Sequence, residues 1–399
     1  MNPESTPQAG AANGLRKRAT AFIVLVGVVS LFADMTYEAA RSITGPYLAV
    51  LGASGAAVGL IAGAGELAGY ALRLASGWIS DRTGRHWAIT IAGYAVNVLV
   101  VPALALAGSW PVAALLVILE RCGKGLRTPA RDAMLSYATR QVGRGWGFGL
   151  HEALDQTGAT VGPLIVAGAL ALHEGYRFAF AVLLAPALAV LFVVVAARLL
   201  FPKPSDLEPV STRIEPRGFA RAYWVYLAAT CAVAVGYADF SLIAFHFERA
   251  GVIPPAWIPV LYAMAMVLDG GAALVFGRLF DRRGMAVLVI AALLSALVAP
   301  LAFLGGPLLA AAGVALWGIG TGAQESVMRA AVAQLTPVQR RATAYGVFNL
   351  WFGVAWFAGS AAMGLLYDVS IPALVALSVA AQLISIPLFV RTARIERHA

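Results

Sequence analysis

The sequence predicts an all-α membrane protein with twelve transmembrane helices in two pseudo-symmetric six-helix bundles and both termini in the cytoplasm. Three observations lead there. First, the 399 residues are 60% hydrophobic and only 12% charged, against roughly 25% charged in an ordinary soluble domain. With a mean hydropathy of +0.79, a globule of this length cannot bury its apolar surface. It must use lipid as solvent, and the same figures exclude disorder. Second, charge-free stretches of spanning length recur along the whole chain. Third, the chain repeats itself at an offset near 200 residues.

A helix needs about 20 apolar residues to cross the hydrocarbon layer. Span one is expected from Ala19 to Tyr47, and the 24 charge-free residues Ser42 to Gly65 hold the turn and the start of span two. Ala88 to Leu119 is a run of 32 residues without charge, broken at Gly108-Ser109-Trp110-Pro111, so it holds span three and half of span four. Spans five (146–170), six (178–199), seven (223–246) and eight (256–276) follow. The 40 charge-free residues Met285 to Gln324, divided by Gly305-Gly306-Pro307, hold span nine and the start of span ten. Spans eleven (342–366) and twelve (370–390) complete the set. Pro102, Pro129, Pro186 and Pro300 are expected to kink spans or mark their ends. The organisation is a cytoplasmic tail (1–18), a first bundle (19–200), a cytoplasmic linker (201–222), a second bundle (223–390) and a C-terminal tail (391–399).

Charge sets the orientation. Of 29 Lys and Arg, 20 fall in loops on the side of the N-terminus, two (Arg177 and Arg249) in the opposite loops and seven inside spans. Positive charge concentrates on the cytoplasmic side of bacterial membrane proteins, which places both termini there. The net charge of +9 is dispersed between apolar runs, so no nucleic-acid partner is expected. Cys122 and Cys231 form no disulfide framework. The polar N-terminus has no apolar core with a cleavage site before span one, so a cleaved signal peptide is not expected.

The repeat is specific. Gly77-Trp-Ile-Ser-Asp81-Arg82-Thr-Gly84 matches Gly277-Arg-Leu-Phe-Asp281-Arg282-Arg-Gly284 at an offset of 200, and Gly123-Lys-Gly125 matches Gly320-Thr-Gly322 at 197. Parallel repeats about an axis along the membrane normal are a transporter architecture, with the site between the halves near the midplane.

On these residues the chain resembles the major facilitator superfamily over about residues 19 to 390. Gly77-x-x-x-Asp81-Arg82-x-Gly84-Arg85-His86 resembles its signature loop, with His86 where a second Lys or Arg is usual. Arg121-Cys-Gly-Lys124-Gly125 resembles its span-four Arg-x-x-Gln-Gly motif, with Lys in the Gln position. Gly158-x-x-x-Gly162-Pro163 resembles the antiporter motif, although Val166-Ala167-Gly168 stands where a Gly-Gly would follow. The resemblance implies that spans one, four, seven and ten line a central cavity. It also implies a conformational latch of Gly77, Asp81, Arg82, Gly84 and Arg85 with Asp132 as partner, and its copy at Asp281 and Arg282.

An ionisable side chain at mid-span costs at least ~2.5–3.5 kcal/mol, so such residues face a cavity or a partner. Span one carries Asp34, Glu38 and Arg41 on one stripe, and span four carries Glu120, Lys124, Arg127 and Arg131 on another, with Arg121 beside it. Glu66, Arg73, His151, Glu152, Asp155, Asp239, His246, Asp269, Gln324, Glu325 and Arg329 add to them. A carboxylate that alternates between water and a dry site changes its protonation with conformation, and Asp34, Glu38 and Asp239 are the proton-coupling candidates. The substrate-binding candidates are Arg41, Glu120, Arg121, Lys124, Arg127, Glu152, Asp155, Gln324 and Glu325. The bland alternative is that these groups pair as structural glue, Glu38 with Arg41 and Glu120 with Arg121 or Lys124.

His151-Glu152-Ala-Leu-Asp155 has the spacing of a zinc-protease helix, but the next histidine, His173, is predicted near the opposite surface, and no metal site is expected. No Walker pattern exists, and no cofactor or catalysis is expected. The sequence therefore predicts a secondary transporter of the bacterial inner membrane, a monomer that moves a small organic solute by alternating access, most simply by proton-coupled export. The competing expectation is uptake or exchange of a small organic anion held by the basic residues of span four.

Overall fold

A computed structural model describes residues 7–142, 144–172, 175–204, 221–336 and 341–397. Every described element is helical. In chain order they are α1 (Pro7–Val50), α2 (Gly55–Thr83), α3 (His86–Ala103), α4 (Trp110–Val142), α5 (Arg144–Ala171), α6 (Gly175–Ala181), α7 (Leu184–Leu200) and α8 (Arg221–Gly236). They continue as α9 (Phe240–Ala250), α10 (Ile258–Arg283), α11 (Ala286–Ala296), α12 (Val298–Leu304), α13 (Pro307–Ala323), α14 (Arg329–Leu335), α15 (Arg341–Val369) and α16 (Ile371–Arg397).

Nine helical stretches among the described residues are long and apolar enough to cross a bilayer. Those outside that set have physical reasons. α4 and the first half of α5 carry the charges noted above, and α13 stops after 17 residues where a π turn, Gln324–Met328, hands over to α14. Four expected spans are each interrupted. Span six breaks before α7, span seven at Tyr237-Ala238-Asp239, span nine at Leu297, and span ten at the π turn. α1 starts at Pro7, well before Ala19, so part of the expected tail continues the first helix. Pro102 is the penultimate residue of α3 and is followed by a 3₁₀ turn, whereas Pro129 lies within α4. Most of the linker, residues 205–220, lies outside the described residues, as do residues 1–6, 337–340, 398 and 399.

The repeated loop has a local cause. Gly84 and Gly284 close α2 and α10 with φ of +65° and +61°, where a side chain would be strained, and their N–H groups bond the carbonyls of Ser80 and Phe280. The helices before the linker, α1–α7, make up the first half of the chain and those after it, α8–α16, the second. The halves meet where α1 packs on α9, α2 on α15 and α5 on α10.

The cores divide unequally. At the end remote from the termini one apolar cluster joins both halves, with Tyr47 and Phe180 from the first and Phe245, Phe303 and Tyr367 from the second. Toward the termini each half has its own cluster, around Phe22 and Trp87 in one and around Tyr226 and Phe389 in the other. The far end is therefore sealed by shared burial. Contact there is close enough to demand glycine: a methyl group on Gly45 would lie 2.0 Å from the Ser241 carbonyl oxygen.

Candidate functional site

The α1 and α4 stripes face one another inside the first half, and their charges interlock. Lys124 Nζ lies 3.8 Å from Glu38 Oε1 and donates to the Tyr37 hydroxyl at 2.6 Å. Arg127 Nη2 lies 3.8 Å from Asp34 Oδ1, and its guanidinium sits 4.4 Å from the Tyr94 ring centre and 5.8 Å from that of Tyr37. Arg127 is 1% exposed, so charge and ring faces replace water around it. Arg121 lies between Glu120, at 3.3 Å, and Glu66 of α2, at 3.5 Å. Asn97 of α3 donates to Glu120 Oε1 at 2.7 Å. Below them Arg131 pairs with Asp132 at 2.8 Å and donates to Ser30 Oγ at 3.1 Å; Ser30 in turn bonds His151 Nε2 at 2.9 Å.

Two contacts carry this network across to the second half. Arg41 Nη2 meets Asp239 Oδ2 at 3.3 Å, and the Tyr262 hydroxyl of α10 donates to Glu38 Oε2. Asp239 sits in the break between α8 and α9 and caps α9 by accepting from Ser241 N at 2.8 Å, so the interruption of span seven positions this carboxylate. The second half answers the charges with rings: Trp317 stands 6.0 Å from the Arg41 guanidinium and packs against Tyr237, Phe240 and Tyr262. A 20 Å³ cavity, room for about one water, touches Arg41, Glu120, Arg121 and Ser241.

The structure thus brings together Asp34, Glu38, Arg41, Glu120, Arg121, Lys124, Arg127 and Asp239. Glu38 pairs with Lys124 and Tyr262 while Arg41 pairs with Asp239, so the span-one partners differ from the simple Glu38–Arg41 glue; Glu120 does hold Arg121. Asp155 lies on α5, which packs along α1, the helix that carries Asp34. Glu152 and Glu325 are exposed, and Gln324 is buried at the start of the π turn. The latch residues lie apart from this site. Asp81, Arg82, Arg85, Asp281 and Arg282 are exposed at the ends of α2 and α10, Arg82 lies 5.2 Å from the Trp78 ring centre, and Asp132 is engaged by Arg131.

Tyr37, Tyr94, Asn97 and Tyr262 belong to the site without having been singled out. Asn97 had a signal, as an amide inside the 32-residue charge-free run, and Tyr37 lies between Asp34 and Glu38. Tyr262 had none, because an isolated tyrosine in an apolar helix reads as packing.

A sequence model described as Major Facilitator Superfamily matches residues 26–360. An uncharacterized protein of Mycobacterium tuberculosis is 44% identical over 372 residues, covering 92% of this chain and 91% of that protein. An uncharacterized MFS-type transporter of Methanocaldococcus jannaschii is 26% identical over 362 residues, covering 87% and 89%. The fold is similar to that of the nucleoside transporter NupG, with a TM-score of 0.74 at 11% identity over 92% of this chain and 99% of that one. It is also similar to a bacterial homologue of the lysosomal transporter Spinster in an inward-facing, unoccupied conformation, with a TM-score of 0.68 at 14% identity over 94% and 96%.

Proposed function

The chain belongs to the Major Facilitator Superfamily, and from that premise we propose that it exports a small organic solute by alternating access, coupled to protons. It is a multi-pass membrane protein of the kind found in bacterial inner membranes, and its class is transport rather than catalysis. In this reading all twelve spans cross the bilayer, the charged α4 and α5 and the interrupted α13–α14 segment among them. Both termini face the cytoplasm, the sealed far end faces outward, and the protein works as a monomer.

The observation that carries the proton is the chemistry of the two contacts between halves. Each uses a carboxylate: Asp239 holds Arg41, and Glu38 accepts from Tyr262. A proton on Asp239 removes the charge that holds Arg41, and a proton on Glu38 turns its charge-assisted bond with Tyr262 into a weaker neutral one, so proton binding loosens the seam between the halves. The signature-loop residues Asp81 and Arg82, with their copies Asp281 and Arg282, would latch the opposite conformation.

Everted membrane vesicles with an internal pH dye test the proposal. Energised wild-type vesicles are expected to release protons when a transported cationic or neutral solute is added, and Asp34→Asn, Glu38→Gln and Asp239→Asn are expected to lose that release. Proton release that survives in all three variants would overturn the coupling.

A second reading rests on Arg121. Its ion pairs with Glu66 and Glu120 are long, at 3.5 and 3.3 Å, and a solute carboxylate could displace either. Under that reading the vesicles respond only to anions, and the response survives Asp34→Asn but fails in Arg121→Ala.

A further inference from the structure

The far end holds a second set of carboxylates that no motif marks. α2 begins there, and the first N–H groups of a helix lack partners within it. Ser54 caps one of them, accepting from Ala57 N at 3.1 Å. The two before it are satisfied from the other half: Asp368, in the last turn of α15, accepts from Gly55 N at 3.0 Å and from Ala56 N at 2.8 Å. Arg249, at the end of α9, holds the same carboxylate at 3.3 Å. Its neighbour Glu248 accepts from the hydroxyl of Tyr176, which belongs to α6 of the first half, at 2.5 Å. Glu248, Arg249 and Asp368 together line a 530 Å³ bowl open at this end.

These contacts have a shared logic. The second half supplies the carboxylates, and the first half supplies neutral donors, one pair of them at the positive end of a helix dipole. Charge-assisted hydrogen bonds are stronger than neutral ones, yet Asp368 and Arg249 remain accessible to water, so separation exposes groups that water can satisfy. That combination gives a contact which holds the end shut and still opens reversibly. The apolar cluster beneath it seals the same end, and Tyr367, next to Asp368, packs against Gly55 so closely that a methyl there would lie 2.5 Å from its ring.

We propose that Asp368 and Glu248 are the outer latch of this transporter, clamping the second half onto α2 and α6 while the far end is closed. The proposal rests on the alternating-access reading, since a latch matters only if this end opens. Spin labels at Val50 and Val369, which are 61% and 82% exposed at the ends of α1 and α15, report the separation of the halves there. A second pair at Trp146 and Arg283 reports the opposite end. The native Cys122 and Cys231 are replaced by alanine in all samples, which are compared in lipid nanodiscs by pulsed dipolar spectroscopy.

In the reference protein the Val50–Val369 pair is expected to give one short-distance population. Asp368→Ala should raise the long-distance population about tenfold, the Asp368→Ala/Glu248→Gln pair further, and Asp368→Asn, which keeps the shape of the side chain, by a smaller factor. Exchanging the charges (Arg249→Asp with Asp368→Arg) should leave the end open, because an arginine cannot accept from the α2 N–H groups. Unchanged distributions in Asp368→Asn and Glu248→Gln, both conservative enough to fold, would overturn the latch. A closed distribution in the charge exchange would overturn the capping role and leave only an ion pair. If the far pair lengthens while the Trp146–Arg283 pair stays fixed, the latch stands and alternating access is what fails.

Discussion

α4 and α13 occupy matching places in the two halves, yet one carries the chemistry of the site and the other carries almost none. Their glycines do the same work. A methyl on Gly125 would lie 2.5 Å from the Gly69 carbonyl oxygen, and one on its copy Gly322 would lie 2.1 Å from that of Asp269. The charges do not follow. Arg121, Lys124 and Arg127 of α4 have Gly318, Thr321 and Gln324 as counterparts at the 197-residue offset. At the first of these places the halves even exchange partners: Arg121 packs over Gly65, whereas Gly318 packs on Ala265. The repeat conserves how the helices touch, while each half furnishes its wall of the site independently. One wall is ionic and the other aromatic, and Arg41 meets Trp317 and Asp239 where they join.

The largest test of this contrast is Arg127→Met. It strips buried Asp34 of its ion-pair partner, and should cost about 3–5 kcal/mol in thermal unfolding of the purified protein. Adding Asp34→Asn should recover a large part of that loss, because the two mutations share one ion pair. The matching change in the second half, Gln324→Met, is expected to stay within about 1 kcal/mol, since the amide nitrogen there has no hydrogen-bond partner among the described residues. Equal losses at the two positions would erase the asymmetry.

A smaller effect is expected from Tyr262→Phe, which removes the hydroxyl that reaches Glu38 from the other half. A hydrogen bond to a charged group contributes about 1.5–3 kcal/mol, and its loss should also change the proton response of the vesicles. Trp317→Phe keeps most of the ring against Tyr237 and Tyr262 but deletes the N–H bond to the Ala238 carbonyl, 3.0 Å long. It should cost about 1 kcal/mol in the same unfolding assay and leave the vesicle response in place. Smallest of all, Asp81→Asn and Asp281→Asn should stay within about 0.5 kcal/mol of wild type, because both side chains are exposed in this conformation. A large loss at either would mean that the signature loop already bears load with the far end closed.

Much of the site was legible because lipid makes charge conspicuous. Asp34, Glu38 and Arg41 could be placed on one stripe by helical spacing, and so could Glu120, Lys124, Arg127 and Arg131. Their pairing could not, since it depends on how α1 and α4 are rotated against each other and on which residues approach from α2, α3 and α10. Tyrosines were the main omission: a hydroxyl that satisfies a buried carboxylate looks no different in sequence from one that packs. Asp368 was hidden for another reason. It ends an apolar span next to a loop, where a lone carboxylate is ordinary, and only the approach of α2 gives it two donors.

By itself, then, the sequence determined that the chain is helical and lipid-embedded, because composition and run length answer to the bilayer irrespective of packing. It also determined that the chain is built twice, because the pattern Gly77 to Gly84 recurs at Gly277 to Gly284, and both closing glycines take a positive φ. Tertiary structure decided where the helices break, which carboxylate meets which cation, and which end is shut. Those outcomes depend on contacts between residues up to 313 positions apart, such as Gly55 with Asp368. Periodicity along one helix carries no information about a partner that arrives from another.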